Sequence, residues 1–154
     1  MVLNGPNLNL LGIHNPSKRA QVTLEEVEAT CVRACQMHGL ALDFRQTNHE
    51  GDLIDALQEG AHREASGRSI GVVLNAGGYA HTSVALHDAI LGSGVSVVEL
   101  NIANIYTREA FRHHSYVSLV AKAVVGGFGQ ESYSLAIAGL LALAGHSVDT
   151  IDQG

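Results

Sequence analysis

Tryptophan is absent and only 5% of the residues are aromatic, so the core has to be assembled mainly from Val, Leu, Ile and Ala. That palette, with an apolar share of 46%, suits buried parallel strands covered by helices. Concentrated positive charge is also missing. The net charge is −6 with histidine neutral, and no basic run exceeds Lys18-Arg19, which excludes the electrostatic footprint of a nucleic-acid partner. The longest apolar stretch, over 135–145, is about half of what a bilayer crossing needs and contains Gly139, so no membrane span is expected. Met1-Val2-Leu3 runs straight into Asn-Gly-Pro without the charged segment, apolar stretch and cleavage site of a secretory signal, and a cytoplasmic location is expected. Cysteine is scarce. Cys31 and Cys35 sit four apart and share one side of a predicted helix with His38 nearby. Three ligands on consecutive turns need a fourth from elsewhere to close a tetrahedron, so the thiols read as small buried hydrophobes and no metal is expected.

What is present alternates regularly. Strand-like apolar runs at 2–3, 40–45, 70–74, 96–100 and 121–125 are separated by helix-period segments, the pattern of repeated βαβ units. Thr23-Leu-Glu-Glu26 has the form of a capping box, opening a helix that runs to Met37 and stops at Gly39. Leu53, Ile54, Leu57 and Ala61 recur at the spacing of an amphipathic helix over 52–64. Thr82 or Ser83 can cap a third helix to Leu91, and a fourth spans 131 to about 144. The length suits one domain over 1–154. Five strands with right-handed crossovers predict a flavodoxin-like three-layer α/β/α sandwich around a five-stranded parallel sheet.

In such a sheet the ligand site lies outside the carboxyl ends of the strands, where the strand order reverses. The polar, glycine-rich segments fall at those ends: Asn4-Gly-Pro-Asn7, Thr47-Asn-His-Glu50, Asn75-Ala-Gly-Gly-Tyr-Ala-His-Thr-Ser83 and residues 101–118. The third of these joins a strand to a helix start, where free backbone donors favour an anion. Thr82 and Ser83 read there as capping hydroxyls, whereas turn chemistry requires neither Asn75 nor His81. Arg108 and Arg112, four apart in a connection longer than usual, can clamp hydroxyls or a carboxylate, or belong to a solvated basic loop or a subunit contact. His113 and His114 diverge and make a poor metal pair.

Four quoted stretches, in this order, carry a family resemblance: Asn4-Gly-Pro-Asn-Leu-Asn-Leu-Leu-Gly12, Phe44-Arg-Gln-Thr-Asn-His-Glu-Gly51, Asn75-Ala-Gly-Gly-Tyr-Ala-His-Thr-Ser-Val-Ala-Leu-His-Asp88 and Phe111-Arg-His-His-Ser-Tyr116. They resemble the type II 3-dehydroquinate dehydratases, over nearly the whole chain. The resemblance implies trimers assembling into a dodecamer, no metal or organic cofactor, and a ring carboxylic acid as substrate. The implied reaction is anti elimination of water from 3-dehydroquinate to 3-dehydroshikimate through an enolate, a step of the shikimate and quinate pathways. By the same resemblance Asn7 holds the water that stabilises the enolate, and Asn75, His81 and Arg112 bind the ring substituents. Asp88 enters from a neighbouring subunit, Glu99 orients the acid, and a lid loop covers about 8–22.

Four positions depart from the family pattern. His14 and Arg19 stand where the family has an arginine and the proton-abstracting tyrosine, and no tyrosine occurs over 8–22. Asn101 and Ala103 stand where it has the acid histidine and a carboxylate-binding serine. Backbone N–H groups of Ile102 and Ala103 remain available for a carboxylate. A guanidinium stays protonated, so Arg19 is no ordinary base, while His14 can serve as one. An acid and a base are each worth about 10² to 10⁴ in rate, so slow dehydration is expected. A non-catalytic or repurposed binder, or a lyase acting on a related polyhydroxylated ring acid, stays open beside it.

Overall fold

The computed structural model describes residues 1–13 and 22–145. Its sheet contains β1 (Val2–Asn4), β2 (Phe44–Gln46), β3 (Val72–Asn75), β4 (Val97–Asn101) and β5 (Ala123–Gly126). The strands lie in the order β2-β1-β3-β4-β5, and every pair is parallel. Helices α1 (Leu24–Gln36), α2 (Glu50–Ala65), α3 (Val84–Ser93) and α4 (Glu131–Leu143) supply the crossovers and the final cover. This is the flavodoxin-like α/β sandwich expected from the sequence, with the order reversing between β1 and β3.

Side-chain alternation along the strands divides the core in two. Leu3, Val72, Leu74 and Val97 face α2 and α3, where they meet Leu53, Leu57, Leu86 and Ile90. Val2, Val73, Val98 and Leu100 face α1 and α4, packing with Val27, Cys31, Tyr133, Ile137 and Leu140. Both cysteines are buried in this second layer. Burial pushes the Cys31 thiol up to about 12, so it behaves as an inert apolar group. Among the described residues no cluster of three or more His, Cys, Asp or Glu is placed to hold a metal ion. No described helix is long and apolar enough to cross a membrane.

The helix signals translate directly. Thr23 accepts from the Glu26 N–H and Glu26 accepts from the Thr23 N–H, completing the capping box. Of the two candidate caps for α3, Ser83 is the one used, accepting from the Leu86 N–H. Strand limits differ from the expectation, by one or two residues for β3 to β5 and by four at the start of β2. The pairing of β2 with β1 begins with Val2 opposite Phe44, and the Asp43 carbonyl accepts the Val2 N–H just before it. Leu40 and Leu42 instead pack against the α1/α4 layer.

Candidate active site

The chain leaves β1 through a turn that the β3 loop holds from the side. A Cβ on Gly5 would lie 2.7 Å from the backbone carbon of Ala76, closer than side chains approach, so only glycine lets these two strand ends meet. Asn7 follows with φ 67, the one non-glycine residue with positive φ among those described. Asparagine tolerates this left-handed conformation, and the Asn7 N–H is tied to Asn48 Oδ1 at 3.0 Å. Strain retained at the end of a central strand is a common mark of a functional turn.

Next to Asn7, the β3 loop is anchored from below. Asn75 donates from Nδ2 to Tyr133 Oη at 2.9 Å, and Tyr133 donates onward to Asn4 Oδ1 at 2.6 Å. Burial pushes the Tyr133 phenol above its ordinary range, keeping it a neutral donor. Asn75 Oδ1 accepts the Gly77 N–H at 3.3 Å. His81 lies at the far end of the same loop, with Nδ1 2.8 Å from the His114 carbonyl. A carbonyl only accepts, so Nδ1 carries the hydrogen and Nε2 of the neutral ring is left as an acceptor.

At the end of β4, Glu99 is fully buried yet surrounded by donors. Ser115 Oγ donates to its Oε1 at 2.6 Å, Ser118 Oγ donates to Oε2, and Asn101 Nδ2 makes a long contact to Oε1 at 3.5 Å. Residues i and i+2 of a strand share a face, which is why Glu99 lies directly below Asn101. Farther along, Arg112 Nε donates to Glu109 at 2.8 Å, and Arg108 approaches the same carboxylate at 3.6 Å. Hydrogen bonds from its own backbone and from Arg112 hold the Glu109 carboxyl below the usual range.

These loops enclose a cleft of about 440 Å³ at the carboxyl ends of β1, β3 and β4. Of the residues singled out from sequence, Asn7, Asn75, His81, Asn101, Ile102, Ala103 and Arg112 all line it, as does Arg108. Glu99 lies beneath it and reaches it through Asn101. Asp88 does not line it. That residue is exposed on α3, in a separate groove with Gln58, His62 and Ser93. His14 and Arg19 lie outside the described residues, as does most of the expected lid. Sequence reasoning assigned no role to Ser115, Ser118, Asn48 or Tyr133, the groups that hold the lining residues in place. Tyr133 alone left a signal, as the one aromatic in an otherwise aliphatic helix, since a buried phenol needs a partner.

The family model described as dehydroquinase class II matches residues 1–141. A 3-dehydroquinate dehydratase of Acidovorax ebreus is 58% identical over 139 residues, covering 90% of this chain and 94% of that protein. Its counterpart in Azorhizobium caulinodans is 55% identical over 139 residues, covering 90% of each. The crystal structure of a type II dehydroquinase from Butyrivibrio crossotus matches with a TM-score of 0.82 at 34% identity, covering 90% of this chain and 94% of that one.

Proposed function

Because the chain belongs to the class II dehydroquinase family, we propose that its cleft removes water from 3-dehydroquinate, a hydro-lyase reaction of the shikimate and quinate pathways. The observation that carries this reading is the convergence of Asn7, Asn75, His81 and Arg112, from three separate loops, on one cleft at the point where the strand order reverses.

The roles are those the family resemblance implies, and each is set beside what the group offers chemically. The Arg108 and Arg112 guanidinium groups give the cleft two cations, and no acidic side chain lines it among the described residues. Both guanidinium groups also contact the Glu109 carboxylate, so what they offer an anionic ring acid is the guanidinium N–H groups that Glu109 does not take. The N–H groups of Ile102 and Ala103 make no loop hydrogen bond among the described residues and are assigned to its carboxylate, in place of the side chain that Ala103 lacks. His81 Nε2 accepts a ring hydroxyl, Arg112 donates to another, and Asn75 closes that side. A proton beside a ketone is a weak acid, so abstraction requires a base and a donor for the enolate oxygen. His14 is assigned as the base and Asn7 as the holder of the enolate-stabilising water. Asp88 is assigned to the cleft of a neighbouring subunit within a trimer of a dodecamer, and the assembly to the cytoplasm.

Binding without turnover is the second reading. One observation favours it: His81 is the only side chain lining the cleft, among the described residues, that ordinarily exchanges a proton near neutral pH. A spectrophotometric assay with 3-dehydroquinate separates the two. Slow formation of the conjugated enone product supports dehydration, and saturable binding with no product supports the second reading.

A further inference from the structure

We propose that Asn48 is a positioning residue for catalysis: it fixes the left-handed backbone of Asn7, and through it the place of the water that stabilises the enolate. The inference rests on the proposed reading of the cleft and adds to it a residue that does not itself line the cleft.

The direction of the Asn7 side chain is set by the two peptide planes that flank its Cα, and both planes are held. On one side the ring of Pro6 locks its own φ, and the Asn7 N–H that follows donates to Asn48 Oδ1 at 3.0 Å. On the other side the Asn7 carbonyl accepts the Leu10 N–H at 3.0 Å. With φ at 67, Asn7 occupies a region that asparagine tolerates but does not prefer, so a turn that is not held relaxes out of it. Losing the contact to Asn48 frees the plane before Asn7 to rotate, and the side chain that lines the cleft moves with it.

The amide orientations here follow from backbone groups that have a single role. A backbone N–H only donates, so the atom that Asn48 turns toward Asn7 is its oxygen. The Gly5 carbonyl only accepts, so the atom that Gln46 turns toward it, at 3.2 Å, is its nitrogen. That nitrogen also donates to Asn48 Oδ1 at 3.0 Å, so one oxygen joins the end of β2 to the turn after β1. Asn48 is held in turn from the β3 loop, where Tyr79 Oη donates to its carbonyl at 2.9 Å. Its neighbours are tied down as well. The Thr47 N–H donates to the Asn4 carbonyl at 3.0 Å, and the His49 N–H donates to Thr47 Oγ1 at 3.1 Å.

The chemistry decides which kinetic constant responds. The enolate oxygen gains its charge only as the proton leaves, so the water assigned to Asn7 stabilises the transition state and does little for the bound ketone. Misplacing Asn7 therefore lowers kcat and leaves KM nearly as it was.

Initial rates with 3-dehydroquinate on the wild type, Asn48→Ala and Asn48→Asp test this. Aspartate keeps an oxygen where the Asn7 N–H needs one and gives up only Nδ2, which makes no hydrogen bond among the described residues. Asn48→Ala is expected to lower kcat about tenfold or more with KM within about twofold, and Asn48→Asp to recover most of the loss. Amide hydrogen exchange supplies a readout that needs no turnover: the Asn7 N–H is protected in the wild type and in Asn48→Asp, and loses that protection in Asn48→Ala. Four results overturn the role of Asn48 while leaving the reading of the cleft intact: an unchanged kcat in Asn48→Ala, a loss that falls on KM, a loss that aspartate does not recover, or an Asn7 amide equally protected in all three proteins. A wild type that turns over no 3-dehydroquinate overturns that underlying reading, and this inference with it.

Discussion

Individual buried polar groups decide how firmly the cleft is held. Tyr133 donates to Asn4 and receives from Asn75, and those partners lie 129 and 58 residues away in sequence. Asn75 stands out in the sequence as an amide at a strand end, and the structure shows it used in the turn itself, where its Oδ1 accepts the Gly77 N–H. Its support is not legible, since a hydroxyl in a helix does not reveal which distant strand end it meets. The same holds for Ser115 and Ser118, whose acceptor Glu99 is 16 and 19 residues away. Tyr133→Phe leaves the Asn4 oxygen and an Asn75 hydrogen without a partner in a dry layer. Denaturant unfolding should show a loss of about 1–3 kcal/mol. Unchanged stability would mean that the Tyr133 hydroxyl is not what holds these two strand ends.

At the level of elements, helices were easier to read than strands for a physical reason. A capping box and a left-handed glycine after a helix are local devices, and Thr23, Ser83 and Gly39 all act as their sequence context suggests. Strand limits depend on pairing with a distant neighbour, and the pairing of β2 with β1 starts at Phe44 rather than at the head of the apolar stretch. Two glycines give this contrast a test. Gly5 touches the backbone of Ala76, whereas Gly51, in α2, has no atom within 4 Å of the position its Cβ would take. Gly5→Ala should destabilise the protein by about 1–3 kcal/mol and displace the Asn7 turn, weakening ring-acid binding. Gly51→Ala in the same protein should stabilise by about 0.5–1 kcal/mol. Equal effects at the two positions in thermal unfolding would refute the close approach of the β1 and β3 loops.

For the molecule as a whole, the repeated βαβ units predict the five-stranded parallel sheet that is found, and its strand order reverses between β1 and β3, where the cleft opens. The role of Asp88 depends on a second copy of the chain. It lies exposed in a groove on α3, outside the cleft it is assigned to complete. Light scattering should therefore find a closed symmetric oligomer at micromolar protein, and a monomer would leave Asp88 without that role. The central claim concerns chemistry: the cleft is a dehydratase site whose positioning groups are present, while Arg19 and Asn101 stand where the proton-transferring tyrosine and histidine are expected. Initial rates with 3-dehydroquinate test it most directly, comparing the wild type with the double variant Arg19→Tyr/Asn101→His. Slow wild-type turnover and a gain of about 10²-fold or more in the variant are predicted. No gain in the variant, or a wild type already as fast as the variant, would contradict the account.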